Sequence, residues 1–386
     1  MALPSAAVTG ICELAPAPTT TSTQLELMAQ VARGALLDAA LLPADVDGLL
    51  VAPGMAGAPL TLPALTAEYL GLRPTYCDLV DLGGATAAGM VWRAAAAIAA
   101  GACTHVLCVL AEPVGPWAPP RDTGFIGLPR AEFDVPYGQV GTVSSYALAA
   151  NRHAHEFGTT DAQRAGVVVG QRRNAVDNPL ALYRAPVDVD GVLASPLFCS
   201  PLHLLEVVRL VSGAAAFVVS APKVVPDRPR PAAWLHGFAE RVTHASIAQM
   251  ADLVRTPVAD TARRAFAMAG IGPRDVDVAE VYDCFSITVV LTVEDAGFCA
   301  KGEGGAFVEA GDFGPGSVLP LNTNGGQLCL GQAGIAGGAT HLLQAVRQLR
   351  GDAGTTQVPD CAIAFVNGNG GRLSEQCSLV LGREQR

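Results

Sequence analysis

The chain has 386 residues, a formal net charge of −10 and a mean hydropathy of +0.35, with half its residues hydrophobic and only 16% charged. That length exceeds one ordinary core, and so apolar a chain needs a large buried volume and an apolar subunit interface. Scattered basic residues exclude a nucleic-acid surface, no apolar run reaches a membrane span, and MALPSAAVTG lacks the pattern of a secretory signal.

In chain order, apolar runs bounded by turn residues predict strands at 6–10, 46–52, 76–82, 105–111 and 215–220, then at 232–238, 276–282, 317–323, 361–367 and 377–381. Helical patterns separate most of them, which predicts a mixed, mostly parallel sheet covered on both faces. The two sets are copies. ALLDAALLPADVDGLLV at 35–51 aligns without gaps with AFAMAGIGPRDVDVAEV at 265–281. DLGG at 81–84 and NTNGG at 322–326 each precede a helical run and then a strand. The stretch 113–212, containing WAPPRDTG, SSYALAANRHAHEFG and QRRNAVDNPLALY, interrupts the first copy and reads as a lid or binding subdomain. The expected organisation is therefore 1–112 with 213–225, the insertion 113–212, and 226–386.

None of the ten cysteines forms a CxxC pair and several lie in strand-like runs, which reads as reduced thiols of a cytoplasmic protein without a zinc site. His153, His155, His203 and His341 have no partners at metal spacing and read as surface or internally satisfied. Glu294 and Asp295 read as an exposed helix face.

Sites in open α/β sheets form at carboxyl ends of strands, beside helix N-termini. Four such ends carry distinctive residues: DLGGAT at 81–86, VYDCF at 281–285, NTNGG at 322–326 and VNGNGG at 366–371. Their glycines admit close backbone approach, suited to an oxyanion or thioester carbonyl; each alone also reads as a tight turn. Asn322 and Asn324 read as turn braces.

With VYDCF, the run VEDAGFCAKGEGGAFVEAGDFGPGSVLPLNTNGG at 293–326 resembles the thiolase superfamily in its sterol-carrier-protein-type branch. VVVGQRRNAVDNPLAL at 167–182 and AFVNGNGGRLS at 364–374 extend the likeness over essentially the whole chain. The resemblance implies a duplicated five-layered α-β-α-β-α fold with two mixed sheets, a tight homodimer, and an insertion that holds coenzyme A. Coenzyme A would then be part of an acyl-CoA substrate rather than a cofactor.

Thiolases attack with a cysteine at the start of the helix after the third strand, and Gly84 stands there. Gln332 replaces the histidine of their GHP motif, Asn367 the cysteine of CxG, and Tyr282 the Asn or His after the second strand. Gln and Asn are not bases near neutral pH. The resemblance thus narrows to thiolase-like retro-aldolases, which use tyrosine and work with a small zinc-ribbon/OB-fold partner.

On this reading Tyr282 and Asp283 supply a phenol and a carboxylate, and Gln332 and Asn367 hydrogen-bond a thioester carbonyl or enolate. Gly84, Asn324, Gly325, Asn369 and Gly370 line the oxyanion region. Arg172 and Arg173 meet coenzyme A phosphates or are simply solvated, and Asp283 is also placed to cap the helix that follows it. Two alternatives stay open: an acyl-transferring thiolase using Cys329 or Cys284, and a non-catalytic subunit that binds CoA esters or lipids.

Overall fold

The computed structural model describes residues 5–115, 129–139, 141–225 and 230–386; the WAPPRDTG stretch lies outside them. The first half runs β1 (Ala7–Glu13), α1 (Gln24–Asp38), β2 (Gly48–Val51), α2 (Leu62–Leu70), β3 (Tyr76–Leu79), α3 (Thr86–Ala99) and β4 (His105–Glu112). The insertion adds α4 (Pro129–Phe133), α5 (Thr142–Phe157), α6 (Asp161–Ala175), α7 (Val189–Leu193) and a hairpin, β5 (Leu197–Cys199) with β6 (Leu202–His203). After β7 (Gly213–Ser220) come β8 (Ala233–Val242), α8 (Val258–Ala269), β9 (Val278–Val281), α9 (Ser286–Asp295) and α10 (Gly304–Glu309). The chain closes with α11 (Gly326–Leu330), α12 (Ala339–Arg350), β10 (Ile363–Gly370) and β11 (Glu375–Gly382).

The repeat is visible atom by atom. Asp45 and Asp275 each accept from a backbone amide three residues back, at Leu42 and Gly272, both at 2.8 Å. Two residues on, Asp47 takes the amides of Thr104 and His105, and Asp277 those of Ala362 and Ile363. Each DVD segment thus folds its own turn and pins the start of the parallel strand beside it, which is why it recurs.

Strand order is β3-β2-β4-β7-β1-β8-β11-β10-β9. The two mixed halves meet at β1 and β8, through the pairs Ala7–Trp234 and Val8–Ala233. Among the described strands only β2–β3, β2–β4 and β9–β10 pair in parallel, so the expectation of a mostly parallel sheet is corrected. The last strand of the second half returns as a hairpin, β10–β11, and a short turn permits only antiparallel pairing.

The strand expected at 317–323 shrinks to one bridge, Ala279–Leu321. Asn322 takes φ +45°, which ends extended structure, and its side-chain amide pairs instead with both backbone groups of Val281, at 2.7 and 2.9 Å.

Period-two alternation builds five layers. Leu49, Val51, Leu107, Val109 and Val218 face α1 and α2. Leu50, Val106, Cys108, Phe217, Val366 and Leu379 face the central layer of α3 and α12. Ala279, Val281, Phe365 and Val380 face the outer layer of α8 and α9, onto which α5 and α6 also pack. Glu294 and Asp295 are not an exposed face. Glu294 is buried against Lys301 and against His153, which ties α9 to the insertion, and Asp295 bonds Lys301 and Thr256 within the second half.

Candidate active site

The strand ends converge on a cavity of about 370 Å³ between the halves and the insertion. Its polar wall is Tyr282, Cys284, Gln332, Asn369 and Tyr146 with the backbone of Gly83, Gly84, Gly370 and Gly371; its apolar wall includes Met55, Phe198, Val207, Val208, Leu210 and Ile335.

Tyr282 follows the last residue of β9, and its amide donates to the Asn367 carbonyl at 2.9 Å. The side chain is 2% exposed. Its ring lies directly over Gly84: a Cβ built there would fall inside the van der Waals envelope of the Tyr282 hydroxyl oxygen and of ring carbons Cε2 and Cζ. Gln332 Nε2 donates to the Tyr282 hydroxyl at 2.9 Å. Gln332 is itself held through its backbone by Arg209 and Val211. Burial pushes the Tyr282 phenol well above its ordinary pKa, and Cys284 and Asp283 push further in the same direction; the Gln327 and Gln332 amides oppose them.

Beneath Tyr282 lies a wholly buried charged cluster. His341 Nε2 is 3.0 Å from Asp283 Oδ1, and its Nδ1 faces Glu280 Oε2 at 3.9 Å. Burial alone would lower the imidazole pKa, but the two carboxylates outweigh it and hold the pKa up at about 9. Burial raises the Glu280 carboxyl, with His341 and Thr323 partly opposing.

Asp283 does not cap the helix after it, whose N-cap is Phe285. It accepts from the amides of Gln327 and Leu328, at 2.9 and 3.0 Å, and so caps α11. Gly326 makes this reach feasible, since a Cβ there would collide with Asp283 Oδ2. The NTN side chains all work on this scaffold. Asn322 holds Val281, Thr323 holds Glu280 at 2.8 Å, and Asn324 bonds the Gly326 amide and Thr340.

The residues singled out from sequence therefore divide. Tyr282, Gln332, Gly84, Asn369, Gly370 and Cys284 share the cavity. Asp283, Asn324 and Gly325 stand behind it. Asn367 lies outside the cavity too, with its amide engaged by Gln376 at 3.0 Å and Ser378 at 2.8 Å. Arg172 and Arg173 bond the carbonyls of Ala185, Ala310 and Gly311 rather than lining the cavity, because both project from α6 against neighbouring loops. Cys329 is fully buried among Ala175, Ala181 and Leu330, outside the cavity. Burial pushes both Cys329 and Cys284 up to about 12. At neutral pH both thiols are thereby held protonated, a poor supply of nucleophile.

Sequence reasoning missed Tyr146, Glu280, Gln327 and His341. Their signals were a tyrosine in a helical pattern, a glutamate inside an apolar strand, and polar residues in apolar helical runs, none of which states what it faces. His341, expected to be a surface or internally satisfied histidine without partners at metal spacing, is buried and satisfied by two carboxylates, one on β9 and one just after that strand. Among the described residues no group of His, Cys, Asp and Glu could hold a metal ion, and no helix is long and apolar enough to cross a membrane.

Residues 239–383 match the family model described as Thiolase C-terminal domain-like. The chain is 31% identical over 350 residues to the acetyl-CoA acetyltransferase of Methanothermobacter thermautotrophicus, spanning 90% of this chain and 91% of that one. It is 30% identical over 363 residues to the steroid side-chain-cleaving aldolase of Thermomonospora curvata, spanning 90% of each. A solved structure described as an Ltp2-ChsH2(DUF35) aldolase superposes with a TM-score of 0.88 at 28% identity over 99% of both chains.

Proposed function

Because the chain belongs to the thiolase superfamily and carries a phenol where that family's nucleophilic cysteine would stand, we propose that it cleaves the Cα–Cβ bond of a β-hydroxyacyl-CoA by a retro-aldol route with no acyl-enzyme. The observation that carries this is the Tyr282 ring filling the space over Gly84. Tyr282, as phenolate, takes the β-hydroxyl proton. The O–H electrons become the new carbonyl, and the Cα–Cβ pair passes into a thioester enolate. Gln332 orients the phenol and stabilises its anion through Nε2. The backbone around Gly84 and Gly370 faces the enolate oxygen, while the Asn369 amide is taken by the Tyr146 hydroxyl.

Supporting this choice over acyl transfer, neither candidate thiol is activated. Supporting it over a non-catalytic subunit, the cavity keeps an oriented phenol above a buried charged cluster. The acyl group is apolar, matching the wall of Met55, Phe198, Val207, Val208, Leu210 and Ile335.

The same reading makes coenzyme A part of the substrate. The insertion 113–212 holds it, since Thr142, Val143, Tyr146, Phe198, Val207 and Val208 supply one wall of the cavity. The first half comprises 1–112 with 213–225, and the second 226–386. A homodimer is part of the proposal. β3 is an outer edge strand carrying the exposed Leu79, and Leu60 (93% exposed) and Tyr69 (51%) stand exposed just before and within α2, which packs on that edge. A small zinc-ribbon/OB-fold partner is proposed by analogy with the two-component aldolase structure. Ten unpaired cysteines support a reducing, cytoplasmic setting.

The test has two parts. Intact-mass measurement after incubation with acetyl-CoA should show no adduct; an acyl group on Cys284 or Cys329 would instead establish acyl transfer. Incubation with a panel of straight-chain and cyclic β-hydroxyacyl-CoAs should release a carbonyl product and a shortened acyl-CoA. Tyr282→Phe should abolish release while CoA-ester binding persists, and full activity in that variant would remove Tyr282 from the mechanism.

A further inference from the structure

A retro-aldol cleavage needs two proton transfers. One leaves the β-oxygen; the other must arrive at Cα, where the broken bond leaves an electron pair. Tyr282 serves the first. The remaining cavity groups with a proton to give are Thr142, Cys284 and Tyr146. An aliphatic hydroxyl is too weak an acid to protonate an enolate carbon efficiently, which leaves the thiol and the second phenol.

Tyr146 comes from α5 of the insertion, opposite the strand ends that carry Tyr282. It is 1% exposed, and its ring packs on Phe285 with centroids 4.3 Å apart. Its hydroxyl is directed by a chain of amides. Asn369 Nδ2 donates to the Tyr146 oxygen at 2.8 Å. Asn369 Oδ1 accepts from Gln376 Nε2 at 2.5 Å, and Gln376 Oε1 accepts from Asn367 Nδ2 at 3.0 Å. Asn367 Oδ1 in turn accepts from Ser378 at 2.8 Å. Gln376 Nε2 also faces the Leu373 carbonyl at 3.5 Å, which sets the sense of the whole run. Asn369 must therefore present its NH₂ to Tyr146. The phenol oxygen accepts that bond, and its own O–H lies against the Cys284 sulfur, a weak acceptor that an enolate carbon can displace. Burial and the neighbouring Cys284 keep this phenol in its protonated form, while Asn369 partly opposes them.

We infer that Tyr146 is the acid that delivers a proton to Cα of the enolate, a role that rests on the retro-aldol reading proposed above. The step balances. The Tyr146 O–H bond breaks, its proton joins the Cα electron pair, the enolate returns to a thioester, and Tyr146 is left as phenolate. Tyr282 then holds the proton taken from the β-oxygen, and its return to Tyr146 through solvent in the emptied cavity restores both groups. One proton has moved from the β-oxygen to Cα. This assigns the buried Asn367–Gln376–Asn369 run a task as well: it aims one phenol.

The reverse of that step is measurable without any cleavage. In D₂O the protein should exchange the α-protons of acetyl-CoA for deuterium, read by NMR. Tyr146→Phe should lower exchange roughly 100-fold or more. Tyr282→Phe should lose cleavage but still exchange, and Cys284→Ala, which removes a cavity-wall contact of Tyr146, should still exchange well above Tyr146→Phe. If Tyr146→Phe does not fold, Asn369→Asp carries the test. It keeps the shape and the acceptor for Gln376 but makes Tyr146 donate to the carboxylate, and exchange should fall at least about tenfold. Undiminished exchange in Tyr146→Phe, loss of exchange in Cys284→Ala with Tyr146 intact, or no exchange by the unmodified protein would each overturn the assignment. Tyr146-dependent exchange without cleavage of any β-hydroxyacyl-CoA would uphold it while removing the lyase reading.

Discussion

Gly84 and Tyr282 share one volume: the hydroxyl of Tyr282 sits where the first side-chain atom of residue 84 would go. The two positions come from different halves of the repeat, the start of α3 and the end of β9. A side chain at 84 and this placement of the Tyr282 phenol therefore exclude each other. Gly84→Ala should displace the ring and lower β-hydroxyacyl-CoA cleavage by about 10²-fold or more, approaching Tyr282→Phe. Steady-state kinetics on both variants, with melting curves to confirm folding, checks this. Near-normal activity in Gly84→Ala would mean the ring can move aside without consequence.

The pH profile follows from burial. The Tyr282 pKa is raised, so its phenolate is a minor form at neutral pH and grows about tenfold per pH unit. kcat/KM for cleavage should rise with a slope near one through neutral and mildly alkaline pH. The residual rate of Tyr282→Phe should lack that slope. A flat profile in the unmodified protein would place the base elsewhere.

Gln332 gives a hydrogen bond to the phenol and is only part-buried. Gln332→Leu should slow cleavage about tenfold through loss of one donor to the anion, with Tm nearly unchanged. The alkaline rise should also shift to higher pH, because Gln332 is one of two groups that lower the Tyr282 pKa. A large drop in Tm would assign Gln332 a structural role instead.

His341 makes stability pH-dependent in a definite direction. Its pKa is about 9 folded against an ordinary 6.5. The folded protein thus binds the proton more tightly, and this stabilisation is complete below pH 6.5 and lost as pH rises through 9. By linkage it is on the order of 3 kcal/mol. Denaturant titrations from pH 6 to 9.5 should show that decline. Asp283→Asn should flatten it and cost about 3–5 kcal/mol at pH 6.5, since it leaves a buried imidazolium short of a partner. An unchanged slope in the variant would exclude His341 as its source.

The exposed surface beside β3 predicts assembly. Replacing Leu60 and Tyr69 together by Glu should convert a dimer to a monomer in sedimentation, with the fold retained. A monomer before substitution would remove the homodimer from the proposal.

Much of this was legible along the chain. The duplication was readable because the DVD segments do local work, each folding a turn and pinning the adjacent strand. The glycine at 84 and the glutamine at 332 were readable as departures because the surrounding motifs keep their spacing. The strand at 317–323 was misread because an apolar run looks the same whether it pairs by backbone or is replaced by the side chain of Asn322. Asn367 and Asn369 stand two residues apart on one strand and so point to one face, yet only Asn369 reaches the cavity.

Residue order alone carried the repeat and the glycine, rather than a thiol, at 84, because each is residue identity at a fixed offset and does not depend on what lies across the molecule; the five layers entered through the family resemblance. Tertiary structure alone decided that Tyr282 fills the space over Gly84, that Asp283, Glu280 and His341 form one buried cluster, and that Tyr146 enters the same cavity from the insertion. Those contacts join residues tens to hundreds of positions apart. Their partners are chosen by the packing of whole layers, and so no local pattern in the chain records them.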